Sequence, residues 1–134
     1  MKITVNEKEY TIKFGYKATV KSGIIKKMAQ SDNGDELDSL ENTLLLIPEM
    51  LTVGLQVHHS DEFGYNLDTN EGYDNVVDKA YDLIEKYLED ANNSLFGLYQ
   101  ALESELVSDS FLSSLFQSAK AEGQKAQKKA TKKN

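Results

Sequence analysis

The segment from Leu44 to Val57 is the strongest constraint on how this chain can fold. Its apolar residues fall on every side of a helix of 3.6 residues per turn, which is typical of a helix enclosed by protein. Polar residues interrupt it, and it is shorter than the roughly 20 apolar residues that a membrane-spanning helix needs. It therefore predicts a central buried helix, within a longer helical segment from Leu37 to about His59, and no membrane association. Pro48 should kink or divide that helix.

Alternating apolar and polar residues in the first 14 positions predict a β-hairpin. The apolar positions are Ile3 and Val5 before the turn and Tyr10, Ile12 and Phe14 after it. The turn, around Asn6 to Glu9, lacks the favoured Asn-Gly pair, so the pattern predicts the pairing but not the turn type. A two-stranded hairpin is not stable alone in water, and we expect its apolar face to pack on a helix.

Helical periodicity dominates the remaining chain. Tyr16, Val20, Ile24 and Met28 recur every four residues and predict an apolar stripe on a first helix. The stretch from Glu62 to Asn75 predicts a long loop, and helical periodicity resumes at its end, with Tyr73, in an amphipathic helix with an acidic outer face. A leucine-rich helix begins at Leu95. The segment from Phe111 to Phe116 either forms a short final helix or continues the preceding one.

These patterns predict an α+β protein that is mainly α, with an N-terminal β-hairpin followed by a bundle of about four to five helices. Residues 1–118 are expected to form a single domain. Residues 119–134 are Ala, Lys, Gln and Gly with no large apolar side chain, so we expect a flexible, Lys-rich tail.

Charge is strongly segregated along the chain, whose formal net charge is -7. Residues 1–27 carry a balance of +5 and residues 119–134 another +5, so residues 28–118 carry -17. An acidic centre repels phosphate, and the sequence has no Arg, the usual bidentate reader of phosphate and guanine. Nucleic acid is therefore not an expected partner. The chain has no Cys, which fits a reducing compartment, and no secretory signal is expected at its polar N-terminus.

Residues able to carry chemistry are few. His58 and Glu62 have the i, i+4 spacing of a helical metal pair, but a polar helix end that leads into the loop is the better explanation for them. Asp68 to Lys79 departs from a calcium loop at its sixth and twelfth positions. The carboxylates lie on predicted solvent faces, and neither a phosphate-binding loop nor a nucleophile elbow is present. The sequence therefore predicts no catalytic residue, cofactor or metal site, and a protein that is not an enzyme.

Apolar residues outside the central helix are the candidates for binding a partner. Two lie in the long loop, and four gather near the end of the predicted fold, where an unfilled groove or a protruding helix would be exposed. The candidate partner-binding residues are Phe63, Tyr65, Phe111, Leu112, Leu115 and Phe116.

Several segments together resemble the tail assembly chaperones of long-tailed siphophages and prophages of Gram-positive bacteria. The resemblance covers roughly residues 1–118. It is carried by Met1–Asn6 with Glu9–Phe14, by Leu44–Leu51, by Val53–Leu55 and by His59–Asn66. The most distinctive element is the apolar helix followed by Asp-Glu-Phe-Gly-Tyr at positions 61–65.

The resemblance implies a chaperone of the host cell cytoplasm that is absent from the mature virion. Its expected client is the tape measure protein, which it would keep soluble while helping to recruit tail tube subunits. Further implied partners are the major tail (tube) protein and a longer, frameshifted form of the same chain, and a homo-oligomer is an open alternative. A second hypothesis, based on the charge of -17, is an acidic regulatory or inhibitory protein that binds a basic protein partner.

Overall fold

A computed structural model describes residues 1–31 and 34–115, and within them the protein is mainly helical. The elements in chain order are β1 (Lys2–Val5), β2 (Lys8–Thr11), α1 (Tyr16–Ser22), α2 (Ile24–Gln30), α3 (Glu36–Gly54), α4 (Ser60–Phe63), α5 (Tyr73–Leu88) and α6 (Leu95–Ser108). The predicted fold class is confirmed, with α4 a single turn beside five longer helices in the described part. Phe116 and the predicted tail at 119–134 lie outside the described residues.

The two strands form an antiparallel hairpin in which Ile3 pairs with Tyr10 and Val5 with Lys8. This register leaves a two-residue turn, Asn6 and Glu7, whose φ angles are 50° and 69°. Two successive residues with positive φ define the type I′ turn that matches the twist of a hairpin. Asn tolerates this conformation, whereas Glu does so only at a cost, which is why the sequence pattern left the turn type open.

The apolar stripe predicted for one first helix is divided between α1 and α2. Gly23, with φ of 72°, ends α1 and starts α2 in a new direction, a backbone conformation that glycine adopts readily. Ile24 is consequently buried, whereas Tyr16 and Val20 are exposed. Helix α1 instead buries two small side chains, those of Ala18 and Thr19.

Helix α3 is the centre of the fold and contacts α1, α2, α5 and α6. It continues through Pro48, so the predicted division there does not occur. At its C-terminal end, the carbonyl of Gly54 accepts a hydrogen bond from the backbone N–H of Lys13 at 2.9 Å. The hairpin is thereby fixed against the end of α3, with Ile12 packed directly over Gly54.

A polar cluster joins α2, α3 and α5 beside the core. Lys27 Nζ lies 2.6 Å from Glu49 Oε1, and the Tyr73 hydroxyl donates to the same oxygen at 2.9 Å. The ammonium group of Lys27 also lies 5.1 Å from the centre of the Tyr73 ring. Burial and the hydrogen bond to Glu49 both raise the pKa of the Tyr73 phenol. The cluster therefore fixes how three helices are arranged around one carboxylate.

Candidate partner-binding site

The two loop residues predicted to meet a partner both pack against the body of the protein. Phe63 is only 2% exposed, and its ring lies edge-on to Tyr10 with ring centres 6.1 Å apart. Tyr65 is half-buried and edge-on to Tyr73 at 5.2 Å, and burial raises the pKa of its hydroxyl. The ring of Phe63 is already buried within the protein, so a partner could contact it only if this packing opened.

The candidates near the C-terminal end of the described chain differ in accessibility. Leu112 is buried, whereas Leu115 is exposed and Phe111 partly exposed. Phe111 lies edge-on to Tyr16 of α1, with ring centres 5.2 Å apart. Sequence reasoning did not foresee this pair, because the predicted stripe assigned Tyr16 to the core. The resulting surface is two aromatic side chains that contact each other at the edge of the body.

A larger apolar surface lies on the N-terminal half of α3. Leu37, Leu40 and Leu44 are 75%, 57% and 42% exposed, and we call these three residues the leucine stripe. Successive helical residues are about 100° apart, so the three side chains fall within about 60° of one another on the wheel. No residue from Glu36 to Leu45 is buried, so this half of α3 extends beyond the core.

The leucine stripe points away from the packed side of its helix. Leu46 and Val53 occupy the opposite side of the wheel and are buried. Leu51, one heptad beyond Leu44 on the line of the stripe, is fully buried as well. Ile47 and Pro48, which border the same line, are also buried. The described residues therefore cover α3 on this side as far as Ile47 and leave it uncovered from Leu44 towards the N-terminus.

This arrangement corrects the prediction that α3 is enclosed over the whole segment from Leu44 to Val57. Residues 46–56 of that segment are enclosed apart from the half-buried Glu49, whereas Leu44, Leu45 and Val57 are exposed. Apolar residues on every side of the wheel are equally consistent with a core helix and with a helix that buries one side and offers the other. The signal that could have separated these readings is the run of polar residues between the leucines before position 44.

Acidic side chains flank the leucine stripe. Glu36 lies one turn before Leu40 on one flank, Glu41 lies one turn after Leu37 on the other, and both carboxylates are exposed. Asp35 caps the helix by accepting a hydrogen bond from the backbone N–H of Asp38 at 2.8 Å. Acidic groups in a first turn stabilise the positive end of the helix dipole, which accounts for Glu36 but not for Glu41. The surface is therefore apolar along its centre and negative along both edges.

A second acidic surface is the outer face of α5, which agrees with the sequence prediction. Its exposed carboxylates are Asp74, Asp78, Asp82 and Glu85, with Glu89 just after the helix. They recur every three or four residues and so share one side of α5. This face carries charge without a central apolar row.

The His58–Glu62 region has structural partners. His59 Nε2 accepts a hydrogen bond from the backbone N–H of Thr11 at 3.0 Å, and so covers part of the open edge of β2. Glu62 pairs with Lys8 at 2.7 Å, and His58 precedes α4 without sharing a helix with Glu62. Within residues 1–31 and 34–115, no three His, Asp or Glu side chains are grouped closely enough to hold a metal ion.

A cleft of about 620 Å³ lies between β1 and the C-terminal end of α5. Polar side chains line much of it, including Lys86, Asp90 and Asn93. A smaller, more apolar groove of about 300 Å³ runs between α2 and α6, lined by Ile25 and Met28. Among the described helices, none is long and apolar enough to cross a membrane.

Comparisons of the chain with protein-family models, with curated proteins and with solved structures found no match. The class of the protein therefore follows from its fold and its exposed surfaces. It is a small α+β protein whose central helix is enclosed at one end and exposes a row of leucines at the other.

Proposed function

We propose that the protein is a phage tail assembly chaperone that binds the tape measure protein, keeps it soluble and helps recruit tail tube subunits during tail morphogenesis. It acts without catalysis in the host cell cytoplasm and does not remain in the mature virion. The resemblance of residues 1–118 to such chaperones supports the identity of the client. The observation that carries the proposal is the leucine stripe.

A chaperone for a long helical chain needs an apolar surface that the client can cover. Burying one leucine side chain gains about 1.5–3 kcal/mol relative to leaving it in water, so three exposed leucines offer several kcal/mol to a binding partner. The acidic flanks and the net charge of -7 keep such a surface soluble while it is free. Exposed leucines within an otherwise polar helix half are thus consistent with a surface kept for a client.

Co-expression with the tape measure protein of the same gene cluster tests the proposal. We expect the client to become soluble and to elute with the chaperone in size-exclusion chromatography. The control is the client expressed alone or beside an unrelated acidic protein of similar size. The proposal fails if the client remains insoluble to the same extent in all three cultures and no complex elutes.

The acidic face of α5 favours a second candidate function, an acidic regulatory protein that occupies a basic protein partner. Binding through that face would weaken steeply with salt, because exposed charges are screened over about 8 Å at physiological ionic strength. Affinity for a basic partner, measured between low and high salt with the wild type and with Leu37, Leu40 and Leu44 replaced by Gln, distinguishes the two functions, because the regulator would bind equally well without these leucines. A complex that is indifferent to ionic strength would reject the regulator and favour apolar docking.

A further inference from the structure

The leucine stripe also indicates the chemistry of what binds it. We infer that it seats one amphipathic helix of the client, whose apolar row is flanked by Lys or Arg. This inference rests on the proposed function and adds the contact surface and the kind of client segment. An i, i+3, i+7 row is the spacing with which two helices pack side by side.

The dimensions of the surface suit a helix. The stripe extends over eight residues, or about 12 Å of helix, and the uncovered half of α3 from Glu36 to Leu45 is about 15 Å long. Since none of these residues is buried, a second helix can lie alongside without displacing any element of the core. On the same side of α3, Ile47 and Pro48 are buried, and the elements that cover them would stop the client helix at that end.

Charge on the flanks selects the client helix. Glu36 and Glu41 border the stripe on its two sides, and no Lys occurs between Gly34 and Lys79. A client helix with Lys or Arg beside its apolar row would place opposite charges along both edges of the contact. A second copy of this chain would bring the same carboxylates together, and like charges at such flanking positions destabilise helix pairing. The charges therefore favour a basic client helix over self-association.

Synthetic helical peptides test the inference with the full-length protein. One 21-residue peptide carries leucines at heptad positions a and d with Lys at e and g; a second has the same leucines with Glu at e and g; a third keeps Lys and replaces the leucines by Ser. Isothermal titration should show the first peptide binding at least about tenfold more tightly than either of the others.

Variants of the stripe assign the binding surface. Replacing Leu37, Leu40 and Leu44 together by Gln, a good helix former, should weaken the first peptide by at least about tenfold while circular dichroism stays unchanged. The matched control is Phe96→Gln on α6, where another exposed apolar side chain is removed and binding should be preserved. The double substitution Glu36→Lys with Glu41→Lys should reverse the preference, so that the Glu-flanked peptide binds better than the Lys-flanked one.

Three results would overturn the inference. The first is unchanged binding by the triple Gln variant, and the second is equal binding of the Lys- and Glu-flanked peptides. The third is a dimer, measured by light scattering, that the triple variant turns into a monomer, because the stripe would then seat a second copy. If the tape measure protein is nevertheless solubilised by both the wild type and the triple variant, the proposed function stands and only the assignment of the stripe fails.

Discussion

Glu7 adopts a backbone conformation, φ of 69°, that residues with a Cβ adopt only at a cost. Replacing it by Gly creates the Asn-Gly pair that type I′ turns favour. We expect Glu7→Gly to raise the free energy of unfolding by about 0.5–1 kcal/mol, measured by urea denaturation. Glu9→Gly within β2 is the matched control and should lower it by a similar amount, because glycine weakens a strand interior. Equal destabilisation by both changes would contradict the turn assignment.

Tyr73 links stability to alkaline pH. Burial, with the hydrogen bond to Glu49, raises its pKa in the folded protein above the unfolded value of about 10. The folded state thus holds this proton more tightly than the unfolded chain, so the contribution is complete below pH 10 and is lost as the pH rises beyond it. We expect Tyr73→Phe to lose less stability than the wild type between about pH 9 and 11.

The control for Tyr73 is Tyr81→Phe on the exposed side of the same helix. Thermal denaturation of this variant should follow the wild-type pH dependence. At neutral pH, Tyr73→Phe should be less stable by about 1 kcal/mol, since it loses the hydrogen bond to Glu49. If the two variants have the same alkaline profile, Tyr73 is not the group responsible.

At the scale of elements, the contact between the hairpin and α3 depends on Gly54. A Cβ at this position would lie 2.5 Å from Ile12 Cγ2, too close for either atom to remain in place. Gly54→Ala should therefore destabilise the protein by about 1–3 kcal/mol through overpacking, as measured by chemical denaturation. Adding Ile12→Ala removes the Cγ2 atom that the new Cβ would meet. The double variant should lose less stability than the sum of the two single variants, and strict additivity would show that the two residues do not meet.

The elements were predictable where one side of the periodic pattern was clearly polar. The alternating pattern predicted the position of the hairpin correctly, and the amphipathic pattern predicted that of α5. Each of these elements has an apolar side that must be buried. The first helix was harder, since the four-residue spacing of Tyr16 and Val20 continues into Ile24 across Gly23. A glycine within a helical pattern does not reveal whether the chain changes direction there, because only the packing of the neighbouring segments decides it.

For the molecule as a whole, the sequence predicted an enclosed central helix but not where its enclosure ends. Leu44 and Leu51 belong to the same apolar row, yet one is exposed and the other fully buried. The difference depends on how far the surrounding elements extend along α3, which is a tertiary property, and its one local sign is the polar residues between the leucines before Leu44. For this reason the sequence does not predict the leucine stripe, whereas Phe63, a predicted contact residue, lies in the core.

The uneven enclosure of α3 predicts uneven stability along one helix. Amides near a free helix end with no buried side chains exchange through local opening, whereas amides in the core exchange only through larger unfolding. We expect backbone amides at 40–45 to exchange with deuterium at least about tenfold faster than those at 50–54, although both segments are helical. Hydrogen exchange followed by mass spectrometry measures this directly.

A bound client changes the prediction for only one half of the helix. A partner that covers the leucine stripe stabilises the exposed half, so exchange at 40–45 should slow when the Lys-flanked peptide is present at saturation. The amides of α6 near Phe96 provide the internal control and should keep their rates. Protection that appears on α6 but not at 40–45 would place the client elsewhere. Equal exchange along the whole of α3 in the free protein would contradict the partial enclosure on which the assignment depends.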